Sequence, residues 1–292
     1  MKKLSVVMIV KNEEALLGRC LDSVKGADEI IICDTGSIDK TIEVAQKYTD
    51  KIYTDYVWND DFASARNHAK SKATGDWILS IDADEFCHDF SEVRKAVDQA
   101  TDTDEAIWVH MIAEGDQKLN FTFARLFRNL PHIYWKEPIH NHLSVNGHGS
   151  EIGNIEITFG WSPAHSLDPD RALRVLEKAA QEDPSPRRLF YLGREYWYKG
   201  MLPQCTNVLG KYVQIAYWEA EKAEAFLIMS QAYSRQGMDD DARSACAQAI
   251  IINPHFKEAL LWMGGIMPDD KAQRWYQWAE GADNRNVYFV RK

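Results

Sequence analysis

Asp82 and Asp84 are separated by one small residue, Ala83, and follow an apolar, β-leaning run, Trp77-Ile78-Leu79-Ser80-Ile81. On an extended backbone, residues two apart point to the same side. The two carboxylates are therefore expected to face one ligand, with Ala83 leaving the approach open. Two hard oxygen donors at a strand end suit Mg²⁺ or Mn²⁺, which such sites hold jointly with phosphate oxygens. The chemistry expected here is the grip of a metal-bound diphosphate. Asp-x-Asp is a common triplet in acidic chains, so its weight comes from its place after two other polar strand ends.

Those strand ends belong to a regular alternation. Strand signals at residues 5–10, 29–33, 51–54 and 77–81 are interleaved with helical ones at 13–24, 40–48 and 62–73. Alternation of this kind predicts an α/β fold, a mostly parallel sheet covered by helices. Ligands in such folds sit beyond the carboxyl ends of the strands. Residues 11–13, 34–39 and 82–84 all fall there, which predicts one site. From about 105 to 160 the pattern turns irregular, with strands expected at 106–112, 121–127 and 155–159 and a polar loop at 135–143.

Past Leu167 the chain becomes helical and repetitive. Aligning Gly200 with Gly237, a shift of 37 residues, carries Leu192 onto Met229, Tyr196 onto Tyr233, Cys205 onto Ala242 and Leu209 onto Cys246. Ala225 to Ala259 is a further step of 34. With Pro254 after the second helix, the pattern resembles tetratricopeptide repeats, about two full units and a degenerate third. A plain helical bundle is the alternative. The boundary is placed near 163–169, giving an α/β domain over 1–165 and an all-α repeat domain over 166–292. Of the twelve tyrosines and tryptophans from Tyr191 to Trp278, core packing accounts for most, so only a minority should be exposed.

Composition narrows the class. The chain has 292 residues, 45% of them hydrophobic, and no apolar run of the ~18 residues a membrane span needs. The apolar start after Lys2 and Lys3 mimics a signal peptide. However, Lys11, Glu13 and Glu14 follow at once with no cleavage site, so a first core strand is expected. Five scattered cysteines without a C-x-x-C point to reduced thiols and a cytoplasmic protein. A formal charge of −10 argues against a broad nucleic-acid footprint.

The motifs carry a resemblance. Ser5-Val6-Val7-Met8-Ile9-Val10-Lys11-Asn12-Glu13-Glu14 is similar to the opening strand of family 2 glycosyltransferases with the GT-A fold. Asp34-Thr35-Gly36-Ser37-Ile38-Asp39 resembles their second-strand motif. Ala65-Arg66-Asn67-His68, then Gly75-Asp76-Trp77 and Asp82-Ala83-Asp84-Glu85, resemble the third block in order and spacing. The resemblance covers about residues 1–165, and a GT-A domain with a tetratricopeptide-like tail recurs in one bacterial branch.

It implies a metal-dependent transfer of a sugar from a nucleoside diphosphate sugar, UDP above all, with Mn²⁺ or Mg²⁺ on the diphosphate. Val10, Asn12, Glu13, Asp34, Asp39, Arg66, Asp82 and Ala83 then contact the nucleotide sugar, Asp34 at the nucleoside. Asn12 and Glu13 otherwise cap the first helix, and Ser37 or Asp39 the second. Arg66 contacts phosphate or ties Asp82 in place, and Asn67 is structural. Asp82 meets ribose or metal-bound water, and Asp84 holds the cation. His140, in the segment from Trp135 to Leu143, matches a histidine that binds metal or pyrophosphate; His142 and His165 are weaker candidates. Many relatives carry glutamate where this chain has Asn141. Asparagine cannot deprotonate an acceptor, which an inverting transferase requires. Glu137 is the favoured base, with Glu114 and Asp116 as alternatives.

The acceptor is open among a glycan, a peptide and other small acceptors, and the repeats can bind it, form a homo-oligomer or cap the domain. A haloacid-dehalogenase-type phosphatase also places Asp-x-Asp after a strand, but there it follows the first strand, and here three precede it. A nucleotidyltransferase would show a glycine-rich loop where Lys11-Asn12-Glu13-Glu14 stands. A non-catalytic binding module is the remaining alternative.

Overall fold

The computed structural model describes residues 1–145 and 149–282, leaving aside the side chains of 116–120, 149–153 and 165. Asp116 and His165 thus lie outside the described side chains. The chain divides after Arg171 into two compact units.

The first unit is built on one sheet. β1 (Leu4–Val10) lies parallel to β2 (Glu29–Asp34) and β4 (Trp77–Ser80), and β3 (Ile52–Tyr53) extends this half beyond β2. β7 (Asp116–Arg128) runs antiparallel to β4 and to β6 (Ala106–Ala113). β10 (Gly149–Phe159) is parallel to β6, with β5 (Glu85–Cys87) antiparallel to it at the edge. The order is β3-β2-β1-β4-β7-β6-β10-β5. The expected parallel pairing is therefore continuous from β3 to β4; beyond β4 the sheet is mixed, with β7 antiparallel to both its neighbours and β6 and β10 parallel again. The reason is local: Ala113 pairs with Asp116 around a two-residue turn in which Gly115 takes φ 84°. A hairpin of that length joins only antiparallel strands.

The core follows from the two-residue period of β1. Leu4, Val6, Met8 and Val10 face Leu17, Cys20, Leu21 and Val24 of α1 (Leu17–Val24) and Val93 and Val97 of α4 (Phe90–Gln99). Val7 faces the other way, toward Ala63 and Ala69 of α3 (Phe62–Ser71). α1 starts at Leu17 and not at Glu13, because Asn12 takes φ 58° and the Glu13 carbonyl closes a turn to Leu16 and Leu17. α2 (Thr41–Ala45) is similarly shorter than its pattern suggests. β5 and α4 were not anticipated from the sequence. Trp135–Leu143 is a loop with two short strands, β8 (Trp135–Lys136) and β9 (His142–Leu143), paired at its base.

Glu29, at the start of β2, is buried and accepts hydrogen bonds from Ser5 Oγ (2.5 Å), Thr74 N (2.8 Å) and Thr74 Oγ1 (2.9 Å), with Lys51 Nζ as counter-ion. Burial alone would raise its pKa, but these donors outweigh it and hold the carboxyl at about 2. A depressed folded value means stability present above the unfolded pKa and lost as pH falls toward 2. Glu29→Gln should therefore lower unfolding free energy by ~1.5–3 kcal/mol at neutral pH. Denaturant titrations should show wild type and variant converging near pH 2.

The second unit is all helical: α5 (Arg171–Glu182), α6 (Pro186–Tyr198), α7 (Leu202–Ile215), α8 (Glu219–Arg235), α9 (Asp239–Ile252), α10 (Lys257–Ile266) and α11 (Asp269–Glu280). Gly200 after α6 and Gly237 after α8 take φ 70° and 73°, the left-handed position that ends a helix and turns it into its partner. The repeat register places Cys205, Leu209, Ala242 and Cys246 in buried positions on α7 and α9. This is tetratricopeptide-like helix pairing. Tyr198, Tyr217, Trp218, Tyr276 and Trp278 are exposed, the expected minority of the aromatics. No helix among the described residues is long and apolar enough to cross a membrane.

Candidate functional site

The site begins where β1 and β2 end side by side, Val10 paired with Asp34. The Val10 carbonyl accepts from Thr35 N (2.9 Å) and Thr35 Oγ1 (3.1 Å), which pins the two strand ends together. Asp34 is buried, and its Oδ1 accepts from Gly36 N and Ser37 N at 2.9 Å each. Its Oδ2 is buried with no hydrogen-bond partner. A buried carboxylate oxygen without a donor costs free energy unless a ligand supplies one.

The loops after β1 and β2 are stitched together. Asn12 Oδ1 accepts from Ile38 N (2.8 Å), while Asn12 N donates to Ser37 Oγ (2.9 Å). Glu13 N donates to Thr41 Oγ1 (2.7 Å) and Glu14 N to Asp39 Oδ2 (3.1 Å). Asp39 Oδ1 accepts from Thr41 N (2.9 Å), bracing the start of α2. Asn12 and Glu13 thus make loop-to-loop bonds, and the N-cap of α1 falls at Leu16. The Glu13 carboxylate reaches across the unit to accept from Ser162 Oγ at 2.7 Å. Burial pushes this carboxyl to about 7; the Ser162 bond opposes the shift, and the charges of Asp84, Asp82 and Asp39 add to it.

The triplet differs from its expected geometry. β4 stops at Ser80, and Glu85 N donates to the Asp82 carbonyl at 3.0 Å, closing a turn. Asp82 and Asp84 therefore do not lie on an extended strand, and the same-side argument fails. Asp82 is occupied on both oxygens: Arg66 Nη2 donates to Oδ1 (2.7 Å) and Arg125 Nη2 to Oδ2 (3.0 Å). Burial would raise its pKa, but the two guanidinium groups hold it below the usual carboxylate range. Glu85 is buried, accepts from Asp82 N (2.8 Å) and is ion-paired with Arg125. Ala83 is buried, and Asp84 stands half-buried at the turn.

Arg66 ties Asp82 in place, one of its two expected roles. Its Nε donates to Asn141 Oδ1 (3.3 Å), its Nη1 to Ser80 Oγ (3.4 Å), and it lies 5.3 Å from the Trp135 ring centre. Asn67 is structural as expected, exchanging hydrogen bonds with the Trp135 backbone at 2.9 and 2.8 Å. The segment carrying Glu137 and His140 is docked on α3 through Phe62 N to the Pro138 carbonyl (2.8 Å). Asn141 Nδ2 donates to the Glu137 carbonyl. Glu137 and His140 take φ 68° and 51°, conformations non-glycine residues hold only under constraint and concentrated at working sites. Glu137 and His142 are half-buried and His140 is exposed. Glu114 is held by Arg19 at 2.7 and 3.3 Å, and that pairing lowers its pKa. A carboxylate so engaged is a poor proton acceptor.

The donor set decides how a divalent cation would be held. Among the described residues no three His, Cys, Asp or Glu groups converge on one point. With Asp82 consumed by two arginines, the arrangement does not fit an all-protein cage. It fits an ion carried in on phosphate oxygens, for which Mg²⁺ needs only one or two carboxylates.

Arg125, Glu85 and Ser162 were missed from the sequence. Arg125 had a visible signal: in Phe121-Thr122-Phe123-Ala124-Arg125-Leu126-Phe127 it is the one charge in an alternating apolar strand. Ser162 had none.

A model of the family described as Glycosyl transferase family 2 matches residues 5–154, half of the chain. A TPR repeat-containing protein of Synechococcus elongatus is 43% identical over 147 residues, covering 48% of this chain and 35% of that one. Glycosyltransferase SunS of Bacillus phage SPbeta is 27% identical over 201 residues, covering 64% of this chain and 48% of its own. The chain thus spans between a third and a half of the length of these curated relatives. Among solved structures, Staphylococcus aureus TarS 1–349 in complex with UDP-GlcNAc superposes with a TM-score of 0.53 at 15% identity, covering 83% of this chain and 90% of that one. At that identity the likeness shows the fold, a GT-A-like α/β unit followed by helices.

Proposed function

The chain belongs to glycosyl transferase family 2, and from that premise we propose that it moves a sugar from a UDP-sugar to an acceptor with Mg²⁺ or Mn²⁺ on the diphosphate. The observation that carries the donor is Asp34 Oδ2, buried and lacking a donor. The uracil ring presents N3–H, a donor of the required kind, whereas cytosine has an acceptor at that position. That the fold neighbour TarS was crystallised with UDP-GlcNAc supports the same donor class. Val10, Asn12, Glu13 and Asp39 shape the pocket by fixing the two loops around Asp34.

On the diphosphate side, Asp84 is the proposed protein ligand of the cation, with His140 a second ligand or a pyrophosphate contact. When bound, the cation neutralises charge on the departing UDP. Asp82 and Ala83 support Asp84 and line the approach, and Arg66 holds Asp82. Glu137 is the proposed acceptor base, favoured now that Glu114 is paired with Arg19. Inversion at the anomeric carbon follows if one base serves one displacement. The acceptor is a glycan, a peptide or another small nucleophile, with nucleic acid disfavoured by the charge of −10. Five buried free thiols support a cytoplasmic setting.

Calorimetric titration with UDP, CDP and GDP tests the donor. UDP should bind most tightly, and Asp34→Ala should weaken UDP by ~10–100-fold, the scale of one hydrogen bond to a charged group. CDP should be little affected. Equal loss for all three nucleotides, or none for UDP, would remove Asp34 from the base-reading role.

A further inference from the structure

Arg125 enters the site by an irregularity of the sheet. Along β6 and β7, Ile107 pairs with Leu126 and Trp108 with Ala124, so Arg125 is the extra residue of a β-bulge. Bulges bend a strand and re-aim a side chain, and they collect beside active sites. Here Arg125 is buried, and one nitrogen, Nη2, serves both Asp82 Oδ2 (3.0 Å) and Glu85 Oε1. Glu85 in turn accepts the Asp82 N–H at 2.8 Å. Arg125 thus grips both ends of the turn that carries Asp84. Its own Nε is buried with no hydrogen-bond partner, an uncompensated cost of putting the arginine there.

The opposite side of Asp82 is held by Arg66, which continues through Asn141 to the Glu137 carbonyl. A continuous chain of polar contacts therefore runs from the bulge in β7, through Asp82, to the loop that bears Glu137 and His140. Two arginines balance the charges of Asp82 and Glu85 on either side of Asp84. An Asp82 released from this clamp would instead be a loose competing ligand.

We propose that Arg125 is a positioning residue for the metal-bearing diphosphate: it clamps the Asp82–Glu85 turn, fixing the place of Asp84 and withholding Asp82. The inference rests on the proposed metal-dependent nucleotide site and adds to it a residue outside its motifs. Removing the guanidinium should disturb the cation and spare the nucleoside, because Asp34 is held by separate bonds on β2.

The test is UDP titration with Mg²⁺ and with chelator, on the full chain, for wild type, Arg125→Lys, Arg125→Met and the double variant Arg125→Met/Glu85→Met. The double variant replaces a buried ion pair by apolar groups of similar length, a change folds often tolerate. Arg125→Met should lose ~10–100-fold of the metal-dependent gain in UDP affinity, the usual cost of a group supporting a metal ligand. UDP affinity in chelator should stay at the wild-type value. Arg125→Lys should recover part of the gain, and the double variant should fold yet not recover it. A wild-type metal gain in the double variant would make the pair merely structural and overturn the proposal. A gain above wild type in either Met variant would also overturn it, since released Asp82 would then be an added ligand. If wild type shows nucleotide binding but no metal gain, the proposed metal site fails, and this inference falls with it.

Discussion

Asp84→Asn is expected to cut metal-dependent turnover by ~10²–10³-fold, the scale of losing one preorganised charge contact to a transition state. The substitution keeps size and shape and removes only the negative charge. Asp84 is half-buried at a turn whose hydrogen bonds come from the Asp82 and Glu85 backbone and from Arg125, so the fold should survive. UDP affinity in chelator should not change, because Asp34 is untouched. UDP release from a UDP-sugar, measured against metal concentration, checks the first point, and calorimetry in chelator checks the second. An Asp84→Asn protein with normal metal-dependent rates would reject Asp84 as the cation's ligand.

Glu137→Gln is the second large effect. If Glu137 takes the acceptor's proton, transfer should fall by ~10²–10⁴-fold, the usual worth of general-base assistance. Nucleotide binding should stay near wild type with and without metal. His140→Ala provides the contrast. It should weaken UDP binding only when metal is present, since its proposed partners are the cation and the pyrophosphate. The two residues sit in one constrained loop, so shared damage to that loop is the competing explanation. It is read by the contrast itself: a loop collapse would alter both variants in both assays. Full transfer activity in Glu137→Gln would remove it as the base.

Much of the architecture was legible because it is written locally. The alternation in β1 assigned its residues to two faces, and the spacing of Leu17, Cys20, Leu21 and Val24 gave the buried side of α1. Asp34 was legible as a polar residue closing a buried strand. The failures have physical causes. The apolar run continues through buried Ile81, so nothing in composition announces that the ladder ends at Ser80 and a turn begins. The antiparallel β6–β7 hairpin depended on a two-residue turn at Gly115, a choice made by one residue's φ. The Arg125 bulge exists only as a register shift between strands. The bond between Glu13 and Ser162 joins residues 149 positions apart, beyond any local pattern.

The central claim is a nucleoside diphosphate site whose cation comes with the ligand. Calorimetric titration of UDP into the wild-type chain, once with Mn²⁺ or Mg²⁺ and once with chelator, tests it most directly. The account predicts measurable UDP binding in chelator, carried by Asp34, and tighter binding with metal, a gain that disappears in Asp84→Asn. UDP binding that is identical with metal and with chelator, or no UDP binding in either, would contradict it.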